Sequence, residues 1–264
     1  NDNLTLSFND ASVYGTLHGG DNNDTLLGAG NSDVLYGDSG DDVLYGGAGN
    51  DQLYGNAGSD KLYGGDGNDV LYADSADTII NGGEGTDTLY LGNDMSTVDL
   101  SRTPFSGIEV IVAANGVATS ITGSSLNEVI YGNSANDTII GGAGNDMLVG
   151  GDGADTLFGT TGADTLDGGA GNDLLLYSPG VVKYDGGTGN DTLFLGASAV
   201  NLDLGALGAG NFAGIEAVVG SAYGDTLSAT GITSNLAAWM GAGDDSVVGG
   251  AYNDTLYGDA GADK

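Results

Sequence analysis

Aspartate returns at a fixed phase through most of this chain, and its neighbours return with it. The stretch Gly46-Gly47-Ala48-Gly49-Asn50-Asp51-Gln52-Leu53-Tyr54 reads G-G-x-G-x-D-x-U-x, with U a large aliphatic residue. Eight contiguous nine-residue windows run from Gly19 to Tyr90, and eight more from Gly123 to Phe194. Position 6 supplies Asp24, Asp33, Asp42, Asp51, Asp60, Asp69 and Asp87 in the first array. In the second array it supplies Glu128, Asp137, Asp146, Asp155, Asp164, Asp173 and Asp191, and in a shorter third array Asp225, Asp245, Asp254 and Asp263. With no Cys and one His in the chain, no nucleophile–base pair is assembled around them. Carboxylates joined by backbone carbonyls make an all-oxygen cage instead. Such a cage selects a hard cation, and a flexible one with six or more oxygens favours Ca2+ over Mg2+.

Placing those carboxylates against one another requires a stacked fold. Positions 1–6 read as a turn, with Gly at positions 1, 2 and 4 permitting positive φ and close backbone approach. Positions 7–9 read as a short strand in which alternation sends position 8 to one face. That position is Leu26, Leu35, Leu44, Leu53, Leu62, Leu71, Ile80 and Leu89, then Ile130, Ile139, Leu148, Leu157, Leu166, Leu175, Tyr184 and Leu193. Two windows make one coil of a flattened helix, and coils stack at the strand spacing of ~4.8 Å. The expected fold is all-β: two parallel sheets enclosing an aliphatic ladder, with about 14 coils over roughly 70 Å. No helix longer than one turn is expected, and Leu236 to Met240 is the only candidate.

Windows on one edge of such a roll are two apart, so position-6 carboxylates separated by two windows face each other. Complete Asp pairs are 24/42, 33/51, 42/60, 51/69 and 69/87, then 137/155, 146/164, 155/173 and 173/191, and finally 245/263. About ten Ca2+ sites follow, with Glu128/Asp146 an eleventh pair. Thr78 and Val182 break the phase, and Asp77 sits one place early.

The charge agrees with a cation partner. There are 37 acidic residues against four basic ones, for a formal net charge of −33. That balance argues against nucleic acid, whose phosphates need Lys and Arg. A Gly count of 52 with this charge would ordinarily indicate disorder, but here the glycines and aliphatics share one period. No apolar run is long enough for a transmembrane helix, and no signal peptide is visible. The start at Asn1 and the end inside an unfinished window read as a piece of a longer protein.

Along the chain, residues 1–18 form a lead-in in which Leu4, Leu6 and Phe8 alternate as in a strand and cap the stack. The first array covers 19–90, a spacer 91–122, the second array 123–194, a second spacer 195–219 and the third array 220–264. The spacers echo each other: Phe105-Ser106-Gly107-Ile108-Glu109 matches Phe212-Ala213-Gly214-Ile215-Glu216. Their apolar residues predict burial in a widened coil rather than a flexible linker. Glu109 and Glu216 are expected to be structural, accepting backbone donors where the roll is interrupted.

The nine-residue array, with Asn201-Leu202-Asp203-Leu204 and Gly220-Ser221-Ala222-Tyr223-Gly224-Asp225-Thr226-Leu227 around the second spacer, resembles the RTX (repeats-in-toxin, haemolysin-type calcium-binding) proteins. The resemblance implies a right-handed parallel β-roll with Ca2+ at its turns. It also implies type I export and folding outside the cell, in a secreted or cell-surface setting. Three roles are consistent with it. The favoured one is a structural, non-enzymatic segment of a surface-layer protein or adhesin. The others are the folding and secretion module of an exported protease, lipase or alginate epimerase, and a carbohydrate-binding module. Tyr36, Tyr45, Tyr54, Tyr63, Tyr72 and Tyr90 at position 9 read as outward β-formers stacked along the sheet. The alternative is an aromatic stripe for a partner, a second copy or a surface polysaccharide. His18 reads as a turn residue.

Overall fold

The computed structural model describes residues 5–7, 14–102, 105–208 and 210–264. Leu4 and Phe8 lie outside them. The chain forms two units, Asn1–Tyr131 and Gly132–Lys264, each a parallel β-solenoid, and the recorded strand pairings are parallel throughout.

In the first unit alternate windows enter opposite sheets. One sheet orders Thr5–Ser7, Thr25–Gly30, Val43–Ala48, Lys61–Asp66, Ile79–Glu84 and Phe105–Ser106. The other runs through Thr16–Asp21, Val34–Ser39, Gln52–Ala57, Val70–Ala73, Thr88–Leu91, Val110–Val112 and Val129–Tyr131. The register advances by two windows per coil: Leu26 pairs with Leu44, Leu44 with Leu62, and Leu62 with Ile80. The position-8 leucines of the array, from Leu26 to Leu89, are 0% exposed. One face of these array strands therefore goes inward, as period-2 alternation requires.

The strands are longer than the sequence suggests. Val34–Ser39 spans positions 7–9 of one window and 1–3 of the next, so the turn proper is only positions 4–6. Pairing continues across the kink because position 2 adopts left-handed φ: Gly47 has φ 108° and pairs with Ala29 at φ 98°. A Cβ-bearing residue rarely tolerates that region, yet Ala29 and Thr160 (φ 75°) both occupy it. Position 1 does not have positive φ; glycine is needed there for space. A Cβ on Gly37 would lie 2.5 Å from Asp42 Oδ2 and 2.7 Å from the Gly55 carbonyl oxygen.

The first spacer continues the sheets within its unit. Leu89 pairs with Ile111 and Ile111 with Ile130, so both steps are longer than two windows. Phe105 pairs with Ile80 in the last strand of its sheet, and Val98 pairs with Ile121 in a new column. The second unit repeats this plan. Leu148 pairs with Leu166, Leu166 with Tyr184, and Tyr184 with Phe212. Leu193 pairs with Val218, Val218 with Ala238 and Ala238 with Leu256, while Leu202, Leu227 and Val247 form the new column. The spacer Phe thus covers the position-8 residue of the seventh window in both units.

Two local expectations need correction. Leu236 to Met240 is not helical: Ala237–Trp239 is a strand between Ala217–Val219 and Thr255–Tyr257, because Ala238 fills the core position of its rung. The helical turn is instead the four-residue 3-10 segment Leu204–Leu207, capped by Asp203 accepting the Gly205 N–H at 3.1 Å. His18 also lies not in a turn but in the strand Thr16–Asp21.

Candidate cation sites

The position-6 carboxylates from Asp24 to Asp245 are buried between coils, and they stack as expected. Asp24 N–H donates to Asp42 Oδ1 at 2.7 Å, Asp33 to Asp51 at 2.7 Å, Asp42 to Asp60 at 2.7 Å, Asp51 to Asp69 at 2.8 Å and Asp69 to Asp87 at 2.7 Å. In the second unit Asp137 donates to Asp155 at 2.7 Å, Asp146 to Asp164 at 3.0 Å, Asp155 to Asp173 at 2.8 Å and Asp173 to Asp191 at 2.8 Å. Asp245 N–H donates to Asp263 Oδ1 at 3.0 Å. Each carboxylate so placed spends one oxygen on the backbone of the preceding coil.

The other oxygen is the unusual one. Oδ2 of Asp33, Asp42, Asp51, Asp60, Asp69, Asp87, Asp155, Asp164, Asp173, Asp191 and Asp245 is buried with no hydrogen-bond partner. Buried charged oxygens are paired or bound to a metal in stable proteins. Around Gly37, Asp42 Oδ2 and the Gly55 carbonyl converge on the space a Cβ would fill; around Gly132, Asp137 Oδ2 and the Gly150 carbonyl do the same, each 2.6 Å from that point. Among the described residues no three His, Cys, Asp or Glu side chains converge on one point, so carbonyls must complete any cage. Buried carboxylate oxygen plus carbonyl oxygen is the donor set of a hard cation, and it fits Ca2+.

Three carboxylates missed by strict nine-residue phasing join the ladders. Asp77 stands in for Thr78, with its Oδ1 accepting the Asp60 N–H at 3.1 Å across 17 residues. Its one-residue displacement was the available signal. Glu109 accepts from Asp87 N–H at 2.9 Å and Glu216 from Asp191 N–H at 2.8 Å. The spacer glutamates therefore do accept backbone donors, closing the ladder where the array stops. Val182 brings no carboxylate; its N–H donates to the Asp164 carbonyl. Asp225 meets Asp245 across 20 residues, its N–H donating at 2.7 Å. Glu128 Oε1 accepts from Ser124 N–H at 3.0 Å.

A second ladder, invisible as a motif, runs along position 5. Asn50 Oδ1 accepts Asn68 N–H at 2.8 Å, Asn68 accepts Thr86 at 2.9 Å, and Asn172 accepts Asn190 at 2.9 Å. Asp41 and Asp244 do the same for Ser59 N–H and Ala262 N–H, each at 3.0 Å, and neutral Asn does it without added repulsion.

Burial pushes the ladder carboxyls up. Asp42, Asp51, Asp69, Asp87, Asp155 and Asp191 rise from 3.8 to about 6, burial being the first cause and neighbouring carboxylates adding to it. A folded-state pKa above the unfolded value favours the fold at low pH, and the benefit fades as pH climbs through the folded value. Without metal, acidification from pH 7 to 4 is therefore expected to increase β-structure, and Ca2+ to bind more weakly below pH 6 because protons compete. Circular dichroism of the chelated protein across that range checks it; a β-signal that falls with acidification would refute it.

His18, Tyr36, Tyr54, Tyr72 and Tyr90 stack in one column with centroids 4.6, 4.6, 4.2 and 5.0 Å apart, and Tyr45 and Tyr63 stack at 4.8 Å. The stacked-neighbour reading describes these rings. The faces of Tyr36, Tyr54 and Tyr72 are covered on both sides, so they present edges and hydroxyls outward. His18 also pairs with Asp38 at 3.2 Å.

Nine-residue rungs alternating between two parallel sheets, with stacked buried carboxylates at their turns, define a calcium-binding β-roll. The chain belongs to the RTX family: the RTX calcium-binding nonapeptide repeat (4 copies) matches residues 18–53, 45–79, 63–94, 122–157, 149–180, 184–205 and 240–264. No curated protein matches it. No helix among the described residues is long and apolar enough to cross a membrane.

Proposed function

We propose that this chain is a calcium-folded structural segment of a secreted or cell-surface protein, of surface-layer or adhesin type, exported unfolded by a type I channel and folded outside. The observation that carries this is the column of buried aspartate oxygens with no partner in the protein. In this reading the position-6 carboxylates and turn carbonyls hold about ten Ca2+ ions. A bound ion supplies the positive charge that lets adjacent coils approach. Asp Oδ1 orients each carboxylate by accepting the neighbouring coil's N–H, and the position-1 glycines leave room for the ion. The role is structural: the chain has no Cys, and its single His is stacked on Tyr36 and paired with Asp38.

Export-coupled folding requires weak sites. The calcium midpoint of folding is expected at about 10⁻⁴–10⁻³ M, the range used by extracellular modules. Titration of the β-signal against buffered free Ca2+ measures it. A midpoint near 10⁻⁷ M, on the scale of intracellular sensors, would mean the chain folds before export and would sink the reading.

A further inference from the structure

Not all position-6 carboxylates are alike, and the difference lies in the backbone at position 2 of the same window. Where Oδ2 is left without a hydrogen bond, position 2 has left-handed φ: Ala29 before Asp33, Asp38 before Asp42, Gly47 before Asp51 and Gly241 before Asp245. Three aspartate turns depart from this, and the turn of Glu128 likewise has the N–H of Ser124, a position 2 without left-handed φ, donating to its carboxylate at 3.0 Å. Asp225 accepts Val200 N–H on Oδ1 and Ser221 N–H on Oδ2, both at 2.7 Å. Asp254 accepts Leu236 N–H on Oδ1 at 3.0 Å and Gly250 N–H on Oδ2 at 2.7 Å. Asp77 accepts Asp60 N–H on Oδ1 at 3.1 Å and Asp74 N–H on Oδ2 at 2.9 Å. None of Asp74, Ser221 and Gly250 has positive φ.

We infer that the conformation at position 2 decides which turns load calcium, and that the turns of Asp77, Asp225 and Asp254 stay metal-free, closed by the chain's own N–H groups in place of the ion. The inference rests on the calcium reading above and refines it. An N–H aimed at Oδ2 occupies the lone pair that a cation would use and points its positive end at the cation's place. Two N–H donors on one carboxylate form charge-assisted bonds, so the anion is satisfied without metal. Binding an ion there would orphan a backbone donor. The sequence carries a cause: Tyr223 and Tyr252 occupy position 4, where the windows of Asp51 and Asp245 have glycine in left-handed backbone, Gly49 (φ 127°) and Gly243 (φ 132°), a region a tyrosine rarely adopts. A tyrosine there sends the loop along the other path and turns the position-2 N–H inward. Each unit consequently contains a turn that can close before calcium arrives.

The test counts bound ions on the full chain by equilibrium dialysis with radioactive Ca2+ at saturation, with circular dichroism monitoring the fold. Asp155→Asn should lose at least one ion. Asp225→Asn and Asp254→Asn should keep the wild-type number, and the double variant Ser221→Gly/Tyr223→Gly, which restores a loaded-type loop, should gain one. Loss of ions by Asp225→Asn and Asp254→Asn equal to the loss by Asp155→Asn would overturn the inference. So would an unchanged count in the double variant, which decides the matter if the Asn variants fail to fold. Full retention by Asp155→Asn would instead refute the calcium reading itself.

Discussion

Stripped of calcium at neutral pH, the chain is expected to lose most of its β-sheet circular dichroism and to regain it cooperatively in millimolar Ca2+. The core contributes one large buried side chain per window, Leu53 and Leu62 for example, both 0% exposed. Ordering a glycine-rich chain costs more conformational entropy than usual, and this core is too thin to offset it alone. The aspartate ladders make matters worse without metal. Asp42, Asp51 and Asp69 are buried with one oxygen unpartnered, and burying an uncompensated charge costs several kcal/mol per ion after relaxation. A divalent cation between coils removes that cost and converts it into attraction. Mg2+ should substitute poorly, because it demands near-ideal octahedral geometry and gives up water reluctantly. Spectra in EDTA, Ca2+ and Mg2+ decide the matter: a β-rich spectrum indifferent to EDTA would contradict the whole account of these sites.

Replacing Asp51 by Ala is expected to raise the calcium midpoint of folding about tenfold or more, while Asp38→Gly changes it by less than about twofold. Asp51 serves two neighbours at once. Its Oδ1 accepts Asp33 N–H at 2.7 Å, and its own N–H is held by Asp69 at 2.8 Å. Alanine would leave the Asp33 N–H orphaned in the interior, costing about 1–3 kcal/mol, and would delete a charged ligand from the cage. A loss of about 1.4 kcal/mol already corresponds to a factor of ten. Asp38 has the same charge at a different phase. It sits at position 2 with φ 71° and contacts His18 from a partly exposed site, so glycine keeps its backbone comfortable while removing the carboxylate. Equal midpoints for the two variants would show that charge alone, and not phase, governs calcium binding.

The residues themselves determined the repeat length, the inward position 8 and the stacking of carboxylates two windows apart. These depend on local side-chain type and on a period that two windows per coil convert directly into neighbours. Asp33 facing Asp51, and Glu109 and Glu216 taking up backbone donors, were legible for that reason. Tertiary structure decided what depends on the path of an adjacent coil. Pairing with neighbours extended the strands through positions 1–3, and the core requirement made Ala237–Trp239 a strand. A shortened coil brought Asp77 into the place of Thr78, and a lengthened one matched Asp225 to Asp245. The second oxygen of each aspartate was settled last. Whether it faces an open cradle or a backbone N–H depends on how the loop before it turns, and a motif that names only the aspartate does not contain that direction.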